Sequence, residues 1–118
     1  MRMQFICAAA IFFVGSVFAQ AADPAGSYKI EGNNPDHGAD YSGTVEVTKT
    51  GDTYKVIWMI DGTKYIGTGI GDENFLAVSY KSGDHTGLAL YGEKGDNWIG
   101  IWTHAGGKAL GAEKWTRQ

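Results

Sequence analysis

Between Tyr41 and Trp115, short runs of alternating apolar and polar residues are broken by a turn signal about every ten to twelve residues. Gly51-Asp52, Asp61-Gly62, Gly71-Asp72, Gly83-Asp84, Gly95-Asp96 and Gly106-Gly107 punctuate segments rich in Val, Ile, Tyr and Trp. The cadence predicts eight strands, over 27–32, 42–49, 53–60, 63–70, 75–80, 86–91, 97–103 and 109–116. In the third, Tyr54, Val56, Trp58 and Ile60 share one face; in the second, Val45 and Val47 oppose Thr44, Glu46 and Thr48. In the seventh, Trp98, Trp102 and His104 fall on one face and Ile99 and Ile101 on the other, so something is expected to cover its outside. Asp61-Gly62 reads as a two-residue type I′ hairpin, because both residue types tolerate positive φ. Glycines inside the strands (Gly43, Gly67, Gly69, Gly87, Gly100, Gly111) suit the bends and close packing of a small closed sheet. The expected fold is all-β: a small eight-stranded antiparallel up-and-down (meander) β-barrel or barrel-like sandwich. Its interior either fills with side chains or holds one small ligand.

The chain also echoes itself at an offset of 44 residues, which sets Trp58 on Trp102, Gly51-Asp52 on Gly95-Asp96, Lys64 on Lys108 and Gly67 on Gly111. Regular hairpins share Gly and Asp at their turns, but the shared Trp and Lys favour a four-plus-four strand duplication. Trp58 and Trp102 are then equivalent positions expected to point to the same side. One stretch is irregular: between Gly32 and Tyr41, Pro35 marks a true loop. Asn33, Asn34, Asp36, His37 and Asp40 there are the loop residues best placed to contact a partner.

The first residues have another character. Arg2 precedes an apolar run from Phe5 to Phe18, and Ala19-Gln20-Ala21 offers a signal-peptidase site, with Val17-Phe18-Ala19 as a second. The run of about 14 residues falls short of the roughly 20 that span a bilayer. Residues 1–21 are therefore read as a cleaved signal peptide, with cleavage after Ala19 or Ala21, and 22–118 as a single domain. Cys7 lies inside the signal, so the mature chain has no cysteine and its core must hold without disulfides. A periplasmic or secreted location follows, and a bacterial source is suggested. Without Arg2, nine of the ten Lys/Arg remain against 13 Asp/Glu, and the basic residues are scattered. That removes the electrostatic basis for nucleic-acid binding and gives no handle on an anionic membrane after signal cleavage.

A resemblance can be stated on particular residues. Tyr28, Glu31-Gly32-Asn33-Asn34-Pro35, Tyr41-Ser42-Gly43, Gly51-Asp52-Thr53-Tyr54, Trp58, Gly67-Thr68-Gly69-Ile70 and Leu110-Gly111-Ala112-Glu113-Lys114-Trp115 resemble a family of short exported bacterial proteins. Most of these are uncharacterised and some carry a fibronectin-binding label. The likeness covers nearly the whole mature chain and brings no established active site. A looser likeness, of architecture only, is to the up-and-down barrels of the avidin and lipocalin class. Gly26-Ser27-Tyr28 stands where a lipocalin has its opening Gly-x-Trp.

Four tryptophans in so short a chain are the most site-like feature. Tyr54, Trp58, Trp98 and Trp102, with Tyr65, are candidates to line a pocket that stacks an apolar or planar ligand, with His104 as a polar contact. The alternative is that they fill the barrel as core. His37, His85 and His104 lack the tight spacing of a metal site, so no metal or cofactor is expected. The acidic residues sit mostly at turns, no Gly-x-Ser-x-Gly occurs, and Gly67-Thr68-Gly69-Ile70-Gly71 lacks the Lys and helix of a phosphate loop. The sequence therefore points to a non-catalytic binding protein. The ligand is either a small molecule in an aromatic interior or a protein held by the 33–40 loop and the outer sheet face, as in an adhesin or inhibitor. A homodimer is a further expectation.

Overall fold

Three Gly-Asp pairs and one Asp-Gly pair fold the chain back on itself. Gly51, Gly83 and Gly95 adopt φ of 63°, 59° and 66°, while Asp61 and Gly62 adopt 52° and 77°. Positive φ at both central residues is what a type I′ hairpin requires, and positive φ at the first alone is the type II′ pattern. In a computed structural model that describes residues 23–36 and 38–118, these turns make four of the seven connections between eight strands. They are β1 (Gly26–Asn33), β2 (Asp40–Thr50), β3 (Thr53–Ile60), β4 (Thr63–Gly71), β5 (Phe75–Ser82), β6 (His85–Lys94), β7 (Asn97–His104) and β8 (Gly111–Arg117). Each pairs antiparallel with its sequence neighbours, and β1 pairs with β8 to close the barrel. Closure settles the choice between barrel and sandwich: every strand has two partners and no edge is left. The signal-peptide expectation lies outside the described residues, as does His37.

β3 spans the expected residues, and most other strands run one to three residues further than their apolar pattern suggested. The loop after β1 is correspondingly shorter. Asn33 and Asp40 face each other as the last pair of the β1–β2 ladder, leaving the turn to the residues between them. β8 starts at Gly111 instead of Ala109, because Thr103 Oγ1 donates to the Ala109 carbonyl at 3.0 Å and holds that segment as a loop. The 44-residue offset carries β3 onto β7 end to end and β2 onto β6 to within one residue, and both Trp58 and Trp102 face inward. It fails for β1 against β5, so the echo covers the central hairpins and not the whole barrel.

The interior has two unlike halves. At the end that carries the start of β1, the end of β8 and the 51–52 and 95–96 turns, Tyr28, Ile30, Val47, Tyr54, Val56, Leu76, Trp98 and Trp115 are buried and packed together. At roughly 25 cal/mol per Å² of apolar surface, each fully buried aromatic there contributes about 4–6 kcal/mol as an upper bound. Arg117 seals this end: its guanidinium lies over the Tyr28 ring and donates to the carbonyls of Asp23 and Ala25. Tyr28 donates to the Pro24 carbonyl at 2.6 Å. The opposite end is not filled.

Candidate binding site

A cavity of about 480 Å³ opens at the end defined by the 34–39, 61–62, 83–84 and 105–110 connections. Aromatic residues from five strands wall it: Tyr41 of β2, Trp58 of β3, Tyr65 of β4, Tyr80 of β5 and Trp102 of β7. Inward glycines make room for these rings. In the ladders Gly32 lies opposite Tyr41, Gly87 opposite Tyr80, Gly100 opposite Tyr91 and Gly111 opposite Trp102. A Cβ at Gly32 would sit 2.5 Å from the Tyr41 ring, and one at Gly111 would sit 2.6 Å from the Trp102 indole nitrogen. Each ring therefore leans over a neighbouring glycine along the wall and leaves the axis open. The rings also brace one another edge to face: Tyr80 lies 6.0 Å from Trp58, 6.2 Å from Tyr65 and 6.3 Å from Trp102.

At the floor sits Glu113, buried on the inward face of β8 between Gly111 and Trp115. Its Oε1 accepts hydrogen bonds from Trp58 Nε1 at 3.0 Å, Trp115 Nε1 at 2.8 Å and the Tyr91 hydroxyl at 2.6 Å. Its Oε2 accepts one from the Tyr41 hydroxyl at 2.6 Å. Indole N–H groups can only donate, so the residue they surround must be an acceptor, and a carboxylate has acceptors alone. The hub ties β2, β3, β6 and β8 together and fixes two of the wall rings. It also acts on the phenols. Burial pushes Tyr41 and Tyr91 well above the usual tyrosine range, and the charge and hydrogen bond of Glu113 push the same way. Tyr80 is pushed up to about 12, mostly by burial, with Tyr65 and Glu113 adding to it.

The residues expected from the sequence divide by depth. Trp58, Trp102, His104 and Tyr65 line the cavity, and Asn34 reaches its rim. Tyr54 and Trp98 do not: both are buried in the packed half, with Tyr54 beneath Lys49 Nζ at 4.7 Å from the ring centroid. Asn34 spends its side chain on its own loop, donating to the Ala39 carbonyl at 2.9 Å, and Asn33 Oδ1 accepts from the Ala112 amide at 3.0 Å. Asp36 and Asp40 are exposed and outside the cavity lining. Sequence reasoning missed Glu113, Tyr41, Tyr80 and Tyr91. The available signal was Glu113 itself, a carboxylate between Gly111 and Trp115 on the inward face of a strand. The indole N–H of Trp102 is buried and has no hydrogen-bond partner of good geometry, although it lies close enough to Tyr41 to favour that phenol's ionised form.

Among the described residues no three His, Cys, Asp or Glu side chains are grouped to hold a metal ion. No protein-family model matches the chain, and no curated protein matches it significantly.

Proposed function

We propose that this is an exported, non-catalytic binding protein that holds a small organic ligand in the open half of its barrel. One observation carries the reading: the same eight strands pack one half of the interior to closure and leave the other as an aromatic-walled cavity of about 480 Å³. That volume lies in the ~300–1,000 Å³ range of small-molecule sites, which are typically concave, largely apolar and built with a few fixed polar groups. A protein needing only stability would fill this space, since voids forfeit dispersion contacts. The test is a library screen by tryptophan fluorescence with native mass spectrometry on the same sample. A saturable signal and a matching adduct mass are expected. Ala89→Phe, which puts a ring into the cavity from β6, should abolish both while the circular dichroism spectrum stays β. No adduct from a broad screen, with the plug variant indistinguishable, would overturn the reading.

A second reading, self-association, is supported by the outer wall and is compatible with the first. Ile70, Ala77, Leu90, Ile101 and Ala112 form one continuous outward row across β4–β8. Leu88, Phe75 and Ile99 flank it, each 42–64% exposed. The partner that suits this uncharged row is a second copy of the chain.

A further inference from the structure

We infer that the ligand of this cavity is a compact organic cation, an amine or quaternary ammonium group seated over Glu113 and enclosed by the aromatic wall; the inference rests on the small-molecule reading above.

The floor supplies the first part of the argument. Glu113 carries the only carboxylate buried within the barrel among the described residues, and it is surrounded by neutral donors. No lysine or arginine lines the cavity; the basic side chains there are His85 and His104. A buried anion is costly unless paired, and hydrogen bonds from neutral groups spread its charge without cancelling it. The oxygens are also unequal. Oε1, with three donors, is saturated, whereas Oε2 receives only Tyr41 and keeps an acceptor site.

The wall supplies the second part. Trp58, Tyr65, Tyr80 and Trp102 surround the space above the carboxylate with π-systems whose faces are electron-rich. Rings arranged edge to face around a common space make an aromatic cage, and such cages favour weakly hydrated cations. Asp61 adds a further negative group at the rim. An anionic ligand would meet Glu113 with no compensating Lys or Arg. A neutral apolar ligand would leave the open Oε2 site desolvated without a partner. A cation uses both features: its charge pairs with the carboxylate and its alkyl surface lies against the rings, and an amine also gives an N–H to Oε2.

The experiment is isothermal titration of the full-length mature protein with choline, tetramethylammonium, the neutral choline isostere dimethylbutanol, and benzoate. We expect saturable binding of the cations, at least about tenfold weaker binding of the isostere, and none of benzoate. Glu113→Gln, which keeps the side chain's shape, should remove the preference for cations over the isostere. Ala89→Phe should remove binding of all. The isostere comparison uses the unaltered protein, so it decides the question even where Glu113→Gln fails to fold. Equal affinity for cation and isostere, or tighter binding of benzoate, would overturn the cation inference and leave the cavity reading standing. Cation binding that survives Ala89→Phe unchanged would place the site elsewhere and overturn the inference as well. No binding of any probe, together with a failed library screen, would overturn both.

Discussion

Glu113 concentrates most of what is unusual at the level of single residues. Four donors from three other strands and its own converge on one carboxylate, and hydrogen bonds to a charged acceptor are worth about 1.5–3 kcal/mol each against ~1 for neutral pairs. Glu113→Gln keeps an oxygen for the indoles but loses the charge, and should cost about 1–3 kcal/mol of unfolding free energy. Glu113→Ala strands two buried indole N–H groups and two phenol hydroxyls, and should cost about 3–5 kcal/mol. Urea denaturation of both variants checks the order; an alanine variant as stable as the glutamine one would show that the donors find other partners. The phenols give a pH dependence with a defined sign. Tyr80, at about 12, and the still higher Tyr41 and Tyr91 hold their protons more tightly folded than unfolded, where tyrosine titrates near ~10. Their contribution to stability is therefore complete below about pH 10 and is lost as the pH rises through about 12 and beyond. A titration of tyrosinate absorbance should show Tyr41, Tyr80 and Tyr91 still largely unionised at about pH 11 and ionising as the barrel unfolds.

At the scale of the strand and its turns, two kinds of glycine do different work. Gly62 has φ of 77° with nothing within 4 Å of an added Cβ, so Gly62→Ala meets only backbone strain of about 1 kcal/mol. Gly100 has an ordinary φ, but an added Cβ would collide with the Tyr91 ring and the Leu90 carbonyl. Gly100→Ala should then cost more, about 1–3 kcal/mol, and should also weaken ligand binding, because Tyr91 can no longer reach Glu113 undisturbed. Thermal denaturation of the pair distinguishes turn from wall. The sequence shows this difference poorly, since both residues read simply as glycine. Turn glycines announce themselves beside Asp; the wall glycines become intelligible only once the register sets Gly100 opposite Tyr91 and Gly111 opposite Trp102. The same limit explains Tyr54 and Trp98. Alternation correctly places Tyr54 with Trp58 and Trp98 with Trp102 on inward faces, but four residues along a strand is about 13 Å. That distance separates the packed half from the open half. Inward or outward is a property of one strand, whereas depth depends on the stagger of all eight.

Across the whole molecule, the outer surface is as divided as the interior. β1 and β2 present Lys29, Glu31, Glu46 and Thr48 outward, while β4–β8 present the row Ile70, Ala77, Leu90, Ile101 and Ala112. A barrel standing in a bilayer carries its apolar band all the way round, so a one-sided band suits a protein partner. The row is also self-complementary. A two-fold axis beside Leu90 would set Ala77 against Ile101 of the second copy, a small side chain facing a bulky one, while Ile70 and Ala112 curve away round the barrel. Isologous contacts of this kind are how most homodimers close. The central strands β5–β7, spaced ~4.8 Å apart, make a strip about 10 Å across on one side of the barrel, and Phe75, Leu88 and Ile99 extend it along the strands as the apolar centre of an interface. Ser79, Thr68 and Thr103, which border it, supply the polar rim. Light scattering coupled to size exclusion should therefore return the mass of a dimer at micromolar concentration. Leu90→Lys with Ile101→Lys places like charges beside the axis and should return a monomer. Both side chains point away from the cavity, so the monomeric variant should keep its ligand affinity and its tryptophan emission. A wild-type monomer at high concentration would remove the self-association reading, and loss of ligand binding in the lysine variant would show that the outer wall and the cavity are coupled through β6 and β7.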